Sequence, residues 1–162
     1  MTILAIDPGT VQSAWVVWNG SLVEFGIEPN VDLIDRLRSW HNEARIGEHP
    51  FLDVAVIEKI ESYGMAIGAE VFATVHWSGR FEEALYPSTP VVRLSRRDVK
   101  LHLCNDSRAK DPNIRQELLD RFGGKSATGT TKAPGPLYGV HSDLWAALAV
   151  AVTYLDLHGG AK

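Results

Sequence analysis

Three carboxylates stand where apolar runs end or begin. Asp7 closes ILAI, Glu58 closes VAVI, and Asp143 precedes LWAALAV. The first two runs are short and rich in branched residues, the pattern of buried strands. If those strands are parallel neighbours, Asp7 and Glu58 leave the sheet at one edge. Asp143 falls in the first turn of a helix read from Ser142 to Leu157, just ahead of its apolar stripe, and can face the same edge. Three acids at a low-dielectric edge repel one another strongly, and a divalent cation is the usual remedy. Ligands that are all oxygen suit Mg²⁺ or Mn²⁺ better than zinc. Two such ions can activate a water and stabilise the leaving oxygen of a phosphodiester. His141 is a further candidate ligand or proton carrier, and Glu61 is an alternative to Glu58. Each residue also has a plainer reading. Asp7 can cap the Pro8–Gly9 turn, Asp143 can be a charge favoured by the helix dipole, and His141 can be a loop histidine.

The elements that must position these acids follow from the pattern. Ile3–Ile6 and Val11–Trp18 read as two strands joined through Pro8-Gly9, and Asn19-Gly20 signals a hairpin into a third strand, Ser21–Ile27. A helix opens at Pro29-Asn30 with Leu33, Ile34, Leu37 and Trp40 on one face. The strand Leu52–Ile57 leads into Glu58, and a long helix spans Ala66–Tyr86. Val91–Leu94 is a fifth strand, after which Ser95 caps a short helix to about Leu103. Another helix opens at Asp111-Pro112. Residues 123–140 hold five glycines and two prolines and read as a flexible loop with no element of its own. Three strands in a meander followed by strand–helix–strand crossovers predict an α/β fold. Its five-stranded sheet is mixed, antiparallel then parallel, with helices on both faces.

At 162 residues the chain suits one domain with a real core. One cysteine, Cys104, allows no internal disulfide and suits a reducing compartment. There is no basic region before an apolar segment at the start, and no apolar run approaches the roughly 20 residues of a membrane span. A cytoplasmic, non-membrane protein is expected. The net charge of −4 conceals an uneven distribution: residues 93–125 hold nine Lys and Arg against five Asp and Glu. A basic segment on an acidic body can meet a phosphate backbone locally, although charge runs are often just solvated faces.

The stretches IDPGT, VIEKIE and HSD before an Ala-rich helix resemble the RuvC-type Holliday-junction resolvases of the RNase H-like superfamily. The resemblance covers nearly the whole chain in element order, and IDPGT is its most specific piece. It implies an RNase H-like fold and a Mg²⁺-dependent endonuclease, with Mn²⁺ able to substitute and two ions at the site. The enzyme would act as a homodimer on four-way DNA junctions and leave 5′-phosphate ends. Asp7, Glu58 and Asp143 match metal-ligand positions, with His141 as a further catalytic candidate. The family usually spaces its late groups as D-x-x-D or H-x-x-D, whereas this chain has H-S-D. Arg96, Arg97 and Lys100 in RRDVK, and Lys110 in SRAKDPN, match basic DNA-binding positions. Tyr63 is a nearby candidate for the family's junction-inserting aromatic, although its offset differs. The helix 66–86, with His76, Trp77, Phe81 and Tyr86, is the candidate dimer face. Three other readings stand beside this one. The D-x-G-T turn occurs in actin-like ATPases and sugar kinases, but those need two such domains. A YqgF-type RNA-processing nuclease shares the superfamily. A structure-selective DNA-binding protein that does not cut is the third.

Overall fold

The computed structural model describes residues 1–47, 51–62, 64 and 66–159, without the side chains of residues 41, 44 and 45. Five strands form one sheet: β1 (Ile3–Asp7), β2 (Gln12–Trp18), β3 (Leu22–Pro29), β4 (Val54–Lys59) and β5 (Val91–Ser95). Their order is β3-β2-β1-β4-β5. The β1–β2 and β2–β3 pairs are antiparallel, whereas β1–β4 and β4–β5 are parallel. Gly20, at φ 104°, takes the left-handed backbone that the β2–β3 turn requires. The mixed sheet is the one the sequence pattern implies.

Both faces of the sheet are covered. On one side lie α1 (Asn30–Arg45) and α2 (Ala69–Leu85), packed with Leu4, Ile6, Trp15, Val17, Ala55 and Ile57. On the other lie α3 (Arg96–Cys104), α4 (Asp111–Arg121) and α5 (Leu144–His158), over Ile3, Ala5, Ala14, Val16, Val54 and Val56. Successive side chains on a strand alternate between faces, so a strand buried on both sides must be apolar throughout. This explains the unbroken runs ILAI and VAVI. It also sets the direction of the acids. Asp7 continues the parity of Ile3 and Ala5, and Glu58 that of Val54 and Val56, so both fall on the α5 side. The register Ile6↔Ile57 makes them neighbours across the β1–β4 pair.

Two expectations need correction. Residues 123–140 do hold elements: a 3₁₀ turn at Gly124–Ala127 and a two-stranded ribbon of β6 (Gly129–Thr130) and β7 (Ala133–Pro134). Ala127 and Leu137 are fully buried against the α5-side core, and Val140 is nearly so. The apolar residues were too few and too widely spaced to show a period. On α2 the buried face is Ser78, Phe81, Ala84 and Leu85, so Phe81 does not belong to the expected dimer face. Phe81 is therefore core, while Phe72, Val75 and Tyr86 are exposed. Among the described residues no helix is long and apolar enough to cross a membrane.

Candidate functional site: an acidic cleft beside a basic groove

Asp7 is held in place by the turn that follows it. The Gly9 N–H donates to Ser13 Oγ (3.0 Å), and Ser13 Oγ donates to Asn30 Oδ1 (2.7 Å). Asn30 Nδ2 in turn donates to the Gly9 carbonyl (3.0 Å), and its backbone N–H donates to the Val11 carbonyl (2.9 Å). Ser13 and Asn30 are both buried, so the network is shielded from water and each polar group needs its partner. A Cβ on Gly9 would lie 2.2 Å from the Gln12 carbonyl oxygen, which explains the glycine. The β1–β2 turn is thus tied to the start of α1, and the end of β1 has little freedom.

A cleft of about 100 Å³, room for several waters, is lined by Asp7, Glu58 and Asp143 together with Arg96, Asp111 and Ser142. The structure therefore brings the three sequence-identified acids to one cleft. Glu58 is buried. Asp143 is exposed and serves as the N-cap residue of α5, but its side chain makes no capping bond. Its carboxylate is consequently not committed to the helix. Ser142 just before it has φ 44°, an uncommon backbone for a non-glycine residue. Such outliers concentrate at functional sites.

Arg96 and Asp111 complete the arrangement. Arg96 Nη1 donates to both Glu58 oxygens, at 3.1 and 3.2 Å, and Nη2 donates to Asp111 Oδ1 at 2.6 Å. The carboxyl of Asp7 is pushed up to about 8, first by burial and then by the Glu58 charge beside it; Arg96 opposes this, and Asp143 and Asp111 add to it. Burial likewise pushes Glu58 up, against the pull of Arg96. Burial also acts against the charge on Arg96, but Glu58 and then Asp111 outweigh it and hold the guanidinium firmly charged. Among the described residues no three Asp, Glu, His or Cys side chains already surround a point as an ion would need. In this arrangement both oxygens of Glu58 accept from Arg96. The donor set still suits a hard cation, because it is all oxygen and one guanidinium faces several carboxylates.

The other sequence-identified residues divide. Arg97 and Lys100 line a groove adjoining the cleft, with Arg96 and Ser107 in the same wall. Lys100 is near enough to favour the charged form of Glu58. Lys110 is exposed, with its backbone N–H on Asn113 Oδ1 at the start of α4. His141 is exposed, 3.3 Å from the Ser142 hydroxyl, and is not part of the cleft wall. Glu61 pairs with Lys59, the last residue of β4, at 2.6 Å and does not line the cleft. Tyr63 lies outside the described residues. Sequence reasoning missed Asp111, which looked like a helix-opening acid, and assigned Arg96 only to DNA although it also contacts the acids. A signal was present in RRDVK and KDPN: both start helices on the α5 side.

No protein-family model matches the sequence, and no curated protein does. Solved structures do. A Thermus thermophilus RuvC structure matches with a TM-score of 0.65 at 20% identity, covering 100% of this chain and 99% of that one. T. thermophilus RuvC in complex with a Holliday junction substrate matches with a TM-score of 0.64 at 20% identity, covering 94% and 92% of the two chains. The chain has the RuvC fold. At this identity the RuvC likeness is one of architecture.

The position of Asp7 has a consequence for stability. Its carboxyl ordinarily titrates at 3.8 and here at about 8. Across that window the folded chain holds a proton that the unfolded chain has released. Asp7 therefore lowers stability progressively as pH rises, and the full loss is present above the folded value. With a chelator present, Asp7→Asn is expected to raise Tm more near about pH 8 than near about pH 4. Thermal unfolding of both proteins at both pH values checks this. An equal gain at the two pH values, or none, contradicts the half-buried, repelled carboxylate.

Proposed function

We propose that this chain is a divalent-metal-dependent endodeoxyribonuclease that resolves four-way DNA junctions. The observation that carries the reading is the pairing of Asp7 and Glu58 on adjacent central strands, opening with Asp143 into a cleft flanked by Arg97 and Lys100. The fold supports it, since a solved RuvC of that fold is in complex with a Holliday junction substrate. Asp7 and Glu58 would hold the cation, Mg²⁺ or Mn²⁺ and in the fuller form two ions, with Asp143 closing the site from α5. When bound, the metal supplies a water activated for attack and neutralises charge developing on the phosphodiester. The protein's own part is positional. The Ser13–Asn30 network fixes the β1 turn, and the register of β1 and β4 sets the two acids side by side. Arg97, Lys100 and Lys110 hold backbone phosphates without reading sequence.

Junction resolution needs two opposed nicks, so the active form would be a homodimer. The exposed apolar residues Phe72 and Val75 on α2, with Tyr86 just after it, form the face proposed for that contact. The products would carry 5′-phosphates, in keeping with a cytoplasmic role in DNA recombination and repair. The Arg96–Glu58 ion pair favours one alternative, junction binding without cutting, because it leaves Glu58 already neutralised.

Two measurements test the reading. Full-length protein with Mg²⁺ is expected to nick a synthetic four-way junction and spare linear duplex. Asp7→Asn is expected to lose cleavage by about a thousandfold or more while keeping or tightening junction binding. Binding without nicking in any divalent metal would favour the non-cutting alternative, and cutting of RNA alone would favour RNA processing. Separately, Lys100→Ala is expected to weaken junction binding uniformly across sequences and to reduce the slope of log K against log salt by about 1. An unchanged slope would remove Lys100 from the DNA interface.

A further inference from the structure

Arg96 stands on the boundary between two compartments of opposite charge, and it lines both. Its two arms do different things. Nη1 covers the oxygens of Glu58, and Nη2 reaches Asp111, whose carboxylate is 73% exposed. The Arg96 side chain is itself 34% exposed, so a path to solvent lies open. Among the described residues Arg96 forms ion pairs with Glu58 and Asp111, and Asp7 is not directly paired to this guanidinium. One monovalent group therefore neutralises only part of the cleft, whereas a divalent cation between Asp7 and Glu58 would serve both. On the groove side Arg96 meets Arg97 and Lys100. A third positive charge there is unfavourable unless an anion is present, and a DNA phosphate is such an anion.

We infer that Arg96 is an exchangeable counter-ion: it holds Glu58 while the cleft lacks a cation, and turns to DNA phosphate in the adjoining groove when a divalent cation takes Glu58. The inference rests on the nuclease reading, since it needs a cation to which Arg96 can yield. Asp111 keeps one arm of Arg96 during the exchange, so the guanidinium pivots rather than leaving. Cation and DNA then strengthen each other's binding, because each removes what opposes the other, and the coupling is reciprocal.

The test uses the full chain and Mn²⁺ alone, with free Mn²⁺ read by electron paramagnetic resonance. Arg96→Gln is expected to bind Mn²⁺ roughly tenfold tighter than wild type, the scale of one charge-assisted contact released. Arg97→Gln removes the same charge from the groove without touching Glu58, and is expected to change affinity by less than about twofold. Arg96→Lys keeps the charge and loses the two-armed geometry. It is expected to fall between wild type and Arg96→Gln, and it carries the test if Arg96→Gln does not fold. Equal shifts for Arg96→Gln and Arg97→Gln, or weaker Mn²⁺ binding in both Arg96 variants, would overturn the exchange. Asp7→Asn separates the two levels. If Mn²⁺ binding requires Asp7 but ignores Arg96, the exchange alone falls; if Asp7→Asn binds Mn²⁺ as wild type does, the nuclease reading falls with it.

Discussion

Two carboxylates placed side by side at the end of a buried sheet are the constraint around which this protein is arranged. Adjacent strands lie about 4.8 Å apart, and two unit charges at that separation repel by about 3 kcal/mol at an effective dielectric constant near 20. That is a substantial part of the roughly 5–15 kcal/mol that keeps an ordinary domain folded. The repulsion persists because the neighbouring groups are made to offset it. Arg96 reaches Glu58 from the first residue of α3, and Asp7 is left to titrate far above its usual range. Such perturbed groups gathered in a cleft are the physical mark of a functional site.

The fold produces this placement by ordinary means. The central strands β1 and β4 are covered on both faces, so their interior must be apolar, and the first polar residue on each comes only where the sheet ends. Parallel pairing then puts both of these residues at the same edge, and strand parity turns both toward α5. The C-terminal edge of parallel strands is where ligands bind in open α/β sheets generally. Here the edge is walled by the starts of three helices: Arg96 opens α3, Asp111 opens α4, and Asp143 caps α5. Helix N-termini carry partial positive charge, which moderates the acidity of the cleft without removing it.

Much of this was legible in the residues. The runs ILAI and VAVI announced central strands, and an acid at the end of each announced the edge. The strand meander, the Asn19-Gly20 turn and the Ser95 cap all appear where the pattern put them; Ser95 Oγ accepts from the Asp98 N–H. What could not be read depended on contacts between distant segments. Arg96 and Asp111 are 15 residues apart and meet only because α3 and α4 start at one place. Phe81 looked like a surface aromatic until the packing of α2 against α1 fixed which face turned inward. Residues 123–140 showed no period, yet Leu137 is buried through a fold-back that brings its N–H to the Ala127 carbonyl at 2.7 Å. Local pattern reports faces and ends of elements, but which ends meet is decided by the sheet order.

Crystals of the full chain soaked in Mn²⁺ and measured at the manganese absorption edge test the central claim most directly. The expected result is an anomalous peak bonded to oxygens of both Asp7 and Glu58, with Asp143 turned toward it and Arg96 no longer on Glu58. Manganese bound only elsewhere, with the Arg96–Glu58 pair intact, would contradict it.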